Sequence, residues 1–300
     1  MSQSHDNCIS AISDRRILPS PQSPAPVFSW LRNRRRRKLL AAPFPAEWVG
    51  YLQTHVPHFT ALDERERRRL YDDVRIFIAE RHWEGCGSLK LTPEIQVAIA
   101  GQACMLTLGF DEGPELFRRA PTVLVYPAGY RAAEEQAIGD HMTLHGEAER
   151  LGEAWHRGPV VMSWEDARAG GTYAGDGHNL VFHEFAHVLD MLGGDSADGV
   201  PPLADRKMAD EWRRVMEREL ARLHSAIRHR QRTLLDDYGA ECETEFFAVA
   251  TECFFDAPRD TRREYPELYD LLRRIYRQDP AARLERPEAK ASAQSGPGTG

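Results

Sequence analysis

His183-Glu184-Phe185-Ala186-His187 constrains this chain more than any other stretch. Histidines four residues apart stand one helical turn from each other on a single face, close enough to share one metal ion. The acid beside them is placed to take a proton from a metal-activated water rather than to bind the metal. Leu180, Val181, Phe182, Phe185, Ala186, Val188 and Leu189 wrap the motif in an apolar sleeve, as in a helix buried in a core. The competing reading is a partly buried helix whose histidines are merely hydrogen-bonded. A third ligand decides between the two, because a catalytic zinc site takes three protein ligands and keeps one position open.

Downstream, residues 238–255 carry Phe246, Phe247, Val249, Ala250, Cys253 and Phe254 at helical spacing, apolar around most of the circumference. Within this run Glu245 and Glu252 are seven residues apart and share one face. A buried acid is costly unless something pairs it, and a zinc ion is one such partner. Glu245, followed directly by two phenylalanines, is the preferred third ligand. Glu241 and Glu252 stay open as alternatives, and their ordinary explanation is an acid favoured by the dipole near a helix N-terminus or a solvated helix position.

Further stretches add to the motif: Thr122 to Pro127, Gly158 to Trp164, Asn179 to Met191, Gly193-Gly194-Asp195 with Gly199-Val200-Pro201, then Tyr238 and Glu245 to Val249. In this order, over about residues 45–280, the chain resembles the Mlc titration factor A family of zinc-dependent peptidases. The resemblance implies an α+β fold, a zincin-like metallopeptidase that is mostly helical with a small mixed β-sheet packed on the HExxH helix. It implies one Zn2+ per chain held by His183, His187 and Glu245, with Glu184 as general base and Tyr238 near the substrate oxyanion. The implied activity is hydrolysis of short peptides or protein termini, aminopeptidase-like. The family's namesake sequesters the transcriptional repressor Mlc and so touches sugar phosphotransferase control; a repressor-binding role with little or no catalysis is the alternative.

Length and charge agree. A chain of 300 residues can bury a sizeable core. A formal net charge of −7 gives no overall case for nucleic acid. The longest apolar stretch, Ile95 to Phe110, is broken by Gln96, Gly101 and Gln102, and reads as a buried helix rather than a membrane span. Five cysteines without CxxC pairing suit a reducing, cytoplasmic setting.

The domain reading is a disordered, basic extension over 1–44, a metallopeptidase domain over 45–280 and a disordered tail over 281–300. The extension holds Phe28, Trp30 and Leu31 beside Arg32-Asn33-Arg34-Arg35-Arg36-Arg37-Lys38, which reads as a solvated lead-in or as a contact for anionic lipid, RNA or an acidic partner. Helices are expected over Ala46–Leu52, over Asp63–Glu80 and, capped by Thr92 with Pro93 at N1, over Ile95–Leu108. Strands are expected over Thr122–Tyr126 and Val160–Trp164, with a weak one near His145–Ala148. In the implied fold the strand before the metal helix is a sheet edge that pairs with extended substrate. Ala169 to His178 reads as a flexible glycine-rich connection, with Asn179 or Asp176 capping the metal helix and His178 a loop residue or a substrate contact. Met208 to Ile227 reads as a long amphipathic helix packing the metal helix against the Glu245 helix. Asp190 reads equally as a partner that orients an imidazole or as a helix-end turn residue.

Overall fold

A computed structural model describes residues 26–128, 158–194 and 197–286. In chain order the elements are α1 (Pro26–Leu40), α2 (Ala46–His55), α3 (Glu64–Glu80), β1 (His82–Gly85), α4 (Pro93–Thr107), β2 (Thr122–Tyr126), β3 (Val160–Ser163) and α5 (Trp164–Thr172). They continue with α6 (Leu180–Asp190), α7 (Arg206–Arg228), α8 (Glu243–Asp256), α9 (Pro258–Glu264), α10 (Pro266–Tyr276) and α11 (Pro280–Glu285). The architecture is mostly helical α+β, as the sequence suggests.

Local chemistry explains the well-predicted starts. Asp63 and Glu66 form a capping box on α3, each side chain accepting the other's backbone N–H at 2.8 and 2.9 Å. The Thr92 hydroxyl accepts the Ile95 N–H at 3.3 Å, and Pro93 follows at the first helical position. Almost every residue of α4 is buried, because it is the hub against which α2, α3, α5 and α6 all pack. That explains why its apolar residues run all round rather than along one stripe.

The three described strands lie in the order β1-β2-β3. All are parallel, with Trp83 opposite Val123 and Val123 opposite Val160. The mixed sheet expected from the sequence is therefore a parallel one among the described residues, with α4 crossing from β1 to β2. Val123, Val125, Val160 and Met162 are buried, and β3 packs against α6. The strand near His145–Ala148 lies outside the described residues.

Three further expectations are corrected. The strand over Val160–Trp164 stops at Ser163, because the serine hydroxyl accepts the Asp166 N–H at 3.2 Å and starts α5 at Trp164. The glycine-rich connection is helical through Thr172, and its helical glycines serve close packing: a Cβ on Gly170 would sit 2.9 Å from the Asn179 Cα and one on Gly171 2.2 Å from the His55 carbonyl oxygen. The long helix α7 does not lie between the metal helix and the Glu245 helix. It packs on the outside of α8, with Trp212 edge-on to Phe247 at 5.7 Å, while α6 and α8 touch directly.

The ends also differ from expectation. Residues 26–40 of the extension form α1, which packs on α3, and α11 occupies the start of the tail. The buried Arg283 guanidinium donates to Glu66 at 2.9 Å, and Arg286 bonds Glu66 at 2.8 Å, so this segment is tied to the start of α3.

On its apolar side α6 is anchored by Phe185, fully buried and edge-on to Phe117 at 4.8 Å and Phe77 at 5.5 Å. Phe185→Ala is expected to cost about 3–5 kcal/mol through the cavity it leaves. Chemical denaturation measures this, and a loss under about 1 kcal/mol would mean that the aromatic cluster does not anchor α6.

Candidate metal centre

Helix α6 begins at Asn179, whose side-chain oxygen accepts the Phe182 N–H at 2.9 Å. Of the two caps the sequence allowed, Asn179 holds the position. Its amide nitrogen donates to Gln102 at 2.8 Å and to the Gly170 carbonyl at 3.0 Å, fixing the helix start to α4 and α5. One turn of helix then brings His183 and His187 together, with their Nε2 atoms 3.1 Å apart.

Glu245, in the first turn of α8, completes the cluster. Its Oε2 lies 3.0 Å from His183 Nε2 and 3.5 Å from His187 Nε2. His183, His187 and Glu245 can each offer one ligand atom to a single ion. A tetrahedral zinc ion with ligands at about 2.0–2.1 Å keeps its donors about 3.3 Å apart, and the three separations bracket that value. Glu245 Oε2 is also buried without a hydrogen-bond partner, an atom that a cation would satisfy. The donor set, two imidazoles and one carboxylate, fits zinc.

Electrostatics express the same convergence. Burial works against a charge on Glu245, but the two imidazoles outweigh it and pull the carboxyl down to about 2. Burial likewise opposes a charge on His183, but Glu245 and Glu252 push its pKa up to about 10. Burial raises the Glu184 carboxyl against the pull of His183 and His187. Tyr238, in the short 3-10 turn Asp237–Ala240, stands with its ring 5.9 Å from that of His183. Burial and then Glu245 raise its hydroxyl to about 12.

The other candidates separate cleanly. Glu241 is exposed and outside the cluster. Glu252 does not join the three donor atoms but holds them: Oε1 meets His183 Nδ1 at 2.7 Å, and Oε2 accepts the Asn179 backbone N–H at 2.6 Å. The imidazole partner sought at Asp190 is thus Glu252. Asp190 accepts backbone N–H groups from Asp198, Gly199 and Val200 at 2.8 to 3.1 Å and closes the loop after α6. Gly199 takes φ +73 there, and a Cβ would lie 2.4 Å from the Glu243 carbonyl oxygen. His178 is exposed in its loop, 3.8 Å from Asp236.

Asp256 escaped the sequence reading. From the end of α8 its Oδ2 accepts the N–H groups of Gly175 and Gly177 at 2.8 and 2.9 Å, pinning the segment that leads into α6. The available signal was its position four residues after Glu252 in an otherwise aromatic helix.

The model of the glucose-regulated metallo-peptidase M90 family matches residues 30–277. An uncharacterized protein of Synechocystis is 33% identical over 84% of this chain and 90% of its own length. Mlc titration factor A of Serratia proteamaculans is 32% identical over 83% of this chain and 93% of its own. The Yersinia pestis protein of that name is 31% identical over 86% of this chain and 92% of its own.

Two outcomes test the cluster. Glu245→Ala is expected to abolish tight zinc binding, whereas Glu252→Ala weakens it only about 10–100-fold. Equal zinc retention by both variants in equilibrium dialysis would mean that the third ligand is misassigned. Because His183 must give up its proton, zinc affinity is expected to rise roughly tenfold per pH unit near neutrality. Calorimetry in buffers of different ionisation enthalpy should show one proton released per ion, and a pH-independent affinity would remove the proton from the site.

Proposed function

The chain belongs to the glucose-regulated metallo-peptidase M90 family, and from that premise we propose a zinc-dependent peptidase acting on short peptides or protein termini, aminopeptidase-like. The observation that carries the reading is the convergence of His183, His187 and Glu245 on one point, their donor atoms 3.0 to 3.5 Å apart. With HExxH on α6 and a distant glutamate on α8, the donor set is that of a gluzincin. These three residues would hold the ion. When bound, zinc supplies Lewis acidity, lowering the pKa of a water to about 7 and polarising a carbonyl.

The chain's own groups then divide the work. Glu184 accepts a proton from the attacking water and passes it to the leaving amine. Its burial, which raises the carboxyl, suits the second of these tasks. The Tyr238 hydroxyl, which stays protonated well above neutrality, donates to the oxyanion of the tetrahedral intermediate. Glu252 keeps the His183 ring turned toward the ion and its Nδ1 engaged. The outer edge of β3 pairs with no strand among the described residues, and an extended peptide can add there through main-chain hydrogen bonds.

The relatives named Mlc titration factor A carry a second reading, in which the chain also binds a transcriptional repressor of the Mlc type and acts in sugar phosphotransferase control. A cytoplasmic setting belongs to the proposal. The free thiols of Cys86, Cys104, Cys242 and Cys253 support it, and no described helix is long and apolar enough to cross a membrane.

Hydrolysis of a panel of fluorogenic aminoacyl and short-peptide substrates tests the reading. Glu184→Gln is expected to keep its zinc and lose about 10²–10⁴-fold in turnover. Activity near wild type in the zinc-loaded variant would overturn the mechanism. No turnover by zinc-loaded wild type, together with capture of the purified repressor, would favour the binding role.

A further inference from the structure

Helix α1 divides its basic residues between two opposite faces. Arg32 and Arg36 face inward. Arg36 bonds Glu80 and Glu115, the latter at 2.8 Å, and Arg32 bonds Glu115 at 2.9 Å. These pairs fix the helix to the body of the protein and neutralise the acids beneath it. Arg34, Arg35, Arg37 and Lys38 are exposed and make no ion pair with any described residue. Trp30 and Leu31 are exposed beside them, at 53% and 50%, with the Arg34 guanidinium 5.7 Å from the Trp30 ring. At 100° per residue these six side chains fall within an arc of about 160°, and Arg32 and Arg36 lie opposite.

We propose that this outer face of α1 is a peripheral docking surface for an anionic lipid bilayer. Charge complementarity is the first argument: four cations with no ion-pair partner among the described residues share one helix face on a chain whose formal net charge is −7. Basic residues at an anionic membrane surface each add roughly fivefold to binding. The apolar pair is the second argument, and it selects the bilayer over a nucleic acid. Phosphates reward the cations but have no use for an exposed leucine. A bilayer rewards both, because Trp and Leu enter the headgroup boundary while neighbouring Arg and Lys stems lie along it. Trp30 and Leu31 are two of only four exposed large hydrophobics among the described residues, and they fall side by side on the charged face. The arrangement needs no membrane-spanning helix and leaves the metal centre unchanged.

Flotation of the full-length, zinc-loaded protein with vesicles tests the surface. Binding is expected to vesicles containing about 30% phosphatidylserine, to be absent with phosphatidylcholine alone, and to be lost near 0.5 M salt, where screening shortens to about 4 Å. The triple variant Arg34→Glu, Arg35→Glu, Lys38→Glu is expected to lose binding by at least about 100-fold. Trp30→Ala with Leu31→Ala, which keeps every charge and changes only exposed side chains, is expected to lose about tenfold or more. Unchanged thermal melts for both variants establish that the fold survives. Failure to bind anionic vesicles, or binding that either variant retains in full, overturns the proposal. Tighter retention of a single-stranded oligonucleotide than of vesicles, indifferent to Trp30 and Leu31, would replace the bilayer with a nucleic acid and also overturn it.

Discussion

One carboxylate holds the site together. Glu252 gives one oxygen to His183 Nδ1 and the other to the backbone N–H of Asn179, the cap of the same helix. It therefore fixes at once where α6 begins and how its first histidine is turned. Three further groups depend on that clamp. His187 follows His183 by one helical turn, Glu245 lies two turns back along α8 on the face that carries Glu252, and Asp256 lies one turn ahead of it. Together Glu245, Glu252 and Asp256 bind the polar face of α8 to α6 and to the Gly175–Gly177 approach, which explains why these two helices pack directly.

The cost of this arrangement explains its form. A carboxylate taken from water into a protein interior costs several kcal/mol unless hydrogen bonds replace the lost hydration. Glu252 and Asp256 each receive two such bonds, and Asp190 receives three from the loop that follows α6. Removing one partner leaves an uncompensated buried charge, so these contacts are costly to lose although each contributes modestly when intact. Glycine enters the same balance at Gly199: its backbone must approach both Asp190 and Glu243, and no side chain fits between them.

Sequence made the metal helix legible because HExxH ties chemistry to helical period, α3 was legible through its acid-rich first turn and apolar stripe, and α4 through its Thr92 cap. It could not separate Glu245 from Glu252. Seven residues is almost two turns, so both acids occupy the same face and differ only in which part of α6 each one meets. That is decided by the axial offset between α6 and α8, a tertiary quantity with no local signature. Family resemblance broke the tie where periodicity could not. The glycines of α5 misled for a related reason: close approach to His55 and Asn179 and a flexible loop leave the same residue in the sequence. Helix α1 was hidden in turn because its inward contacts are ion pairs rather than an apolar stripe, so hydrophobic periodicity had nothing to report.

The charge balance of the cluster bears on how it can be filled. Glu184, Glu245 and Glu252 crowd around two imidazoles, and His183, held near a pKa of about 10, supplies the compensating proton. A divalent ion in place of this proton would bring one more positive charge beside Glu245, whose Oε2 lies 3.0 Å from His183 Nε2. The clamp from Glu252 to Asn179 and His183 already exists through protein groups alone. The contacts that shape the site are protein contacts, unlike those of small zinc domains whose core forms only around the ion. Because α4, α6 and α8 share one apolar core, that core sets the offsets that place the three donor atoms 3.0 to 3.5 Å apart.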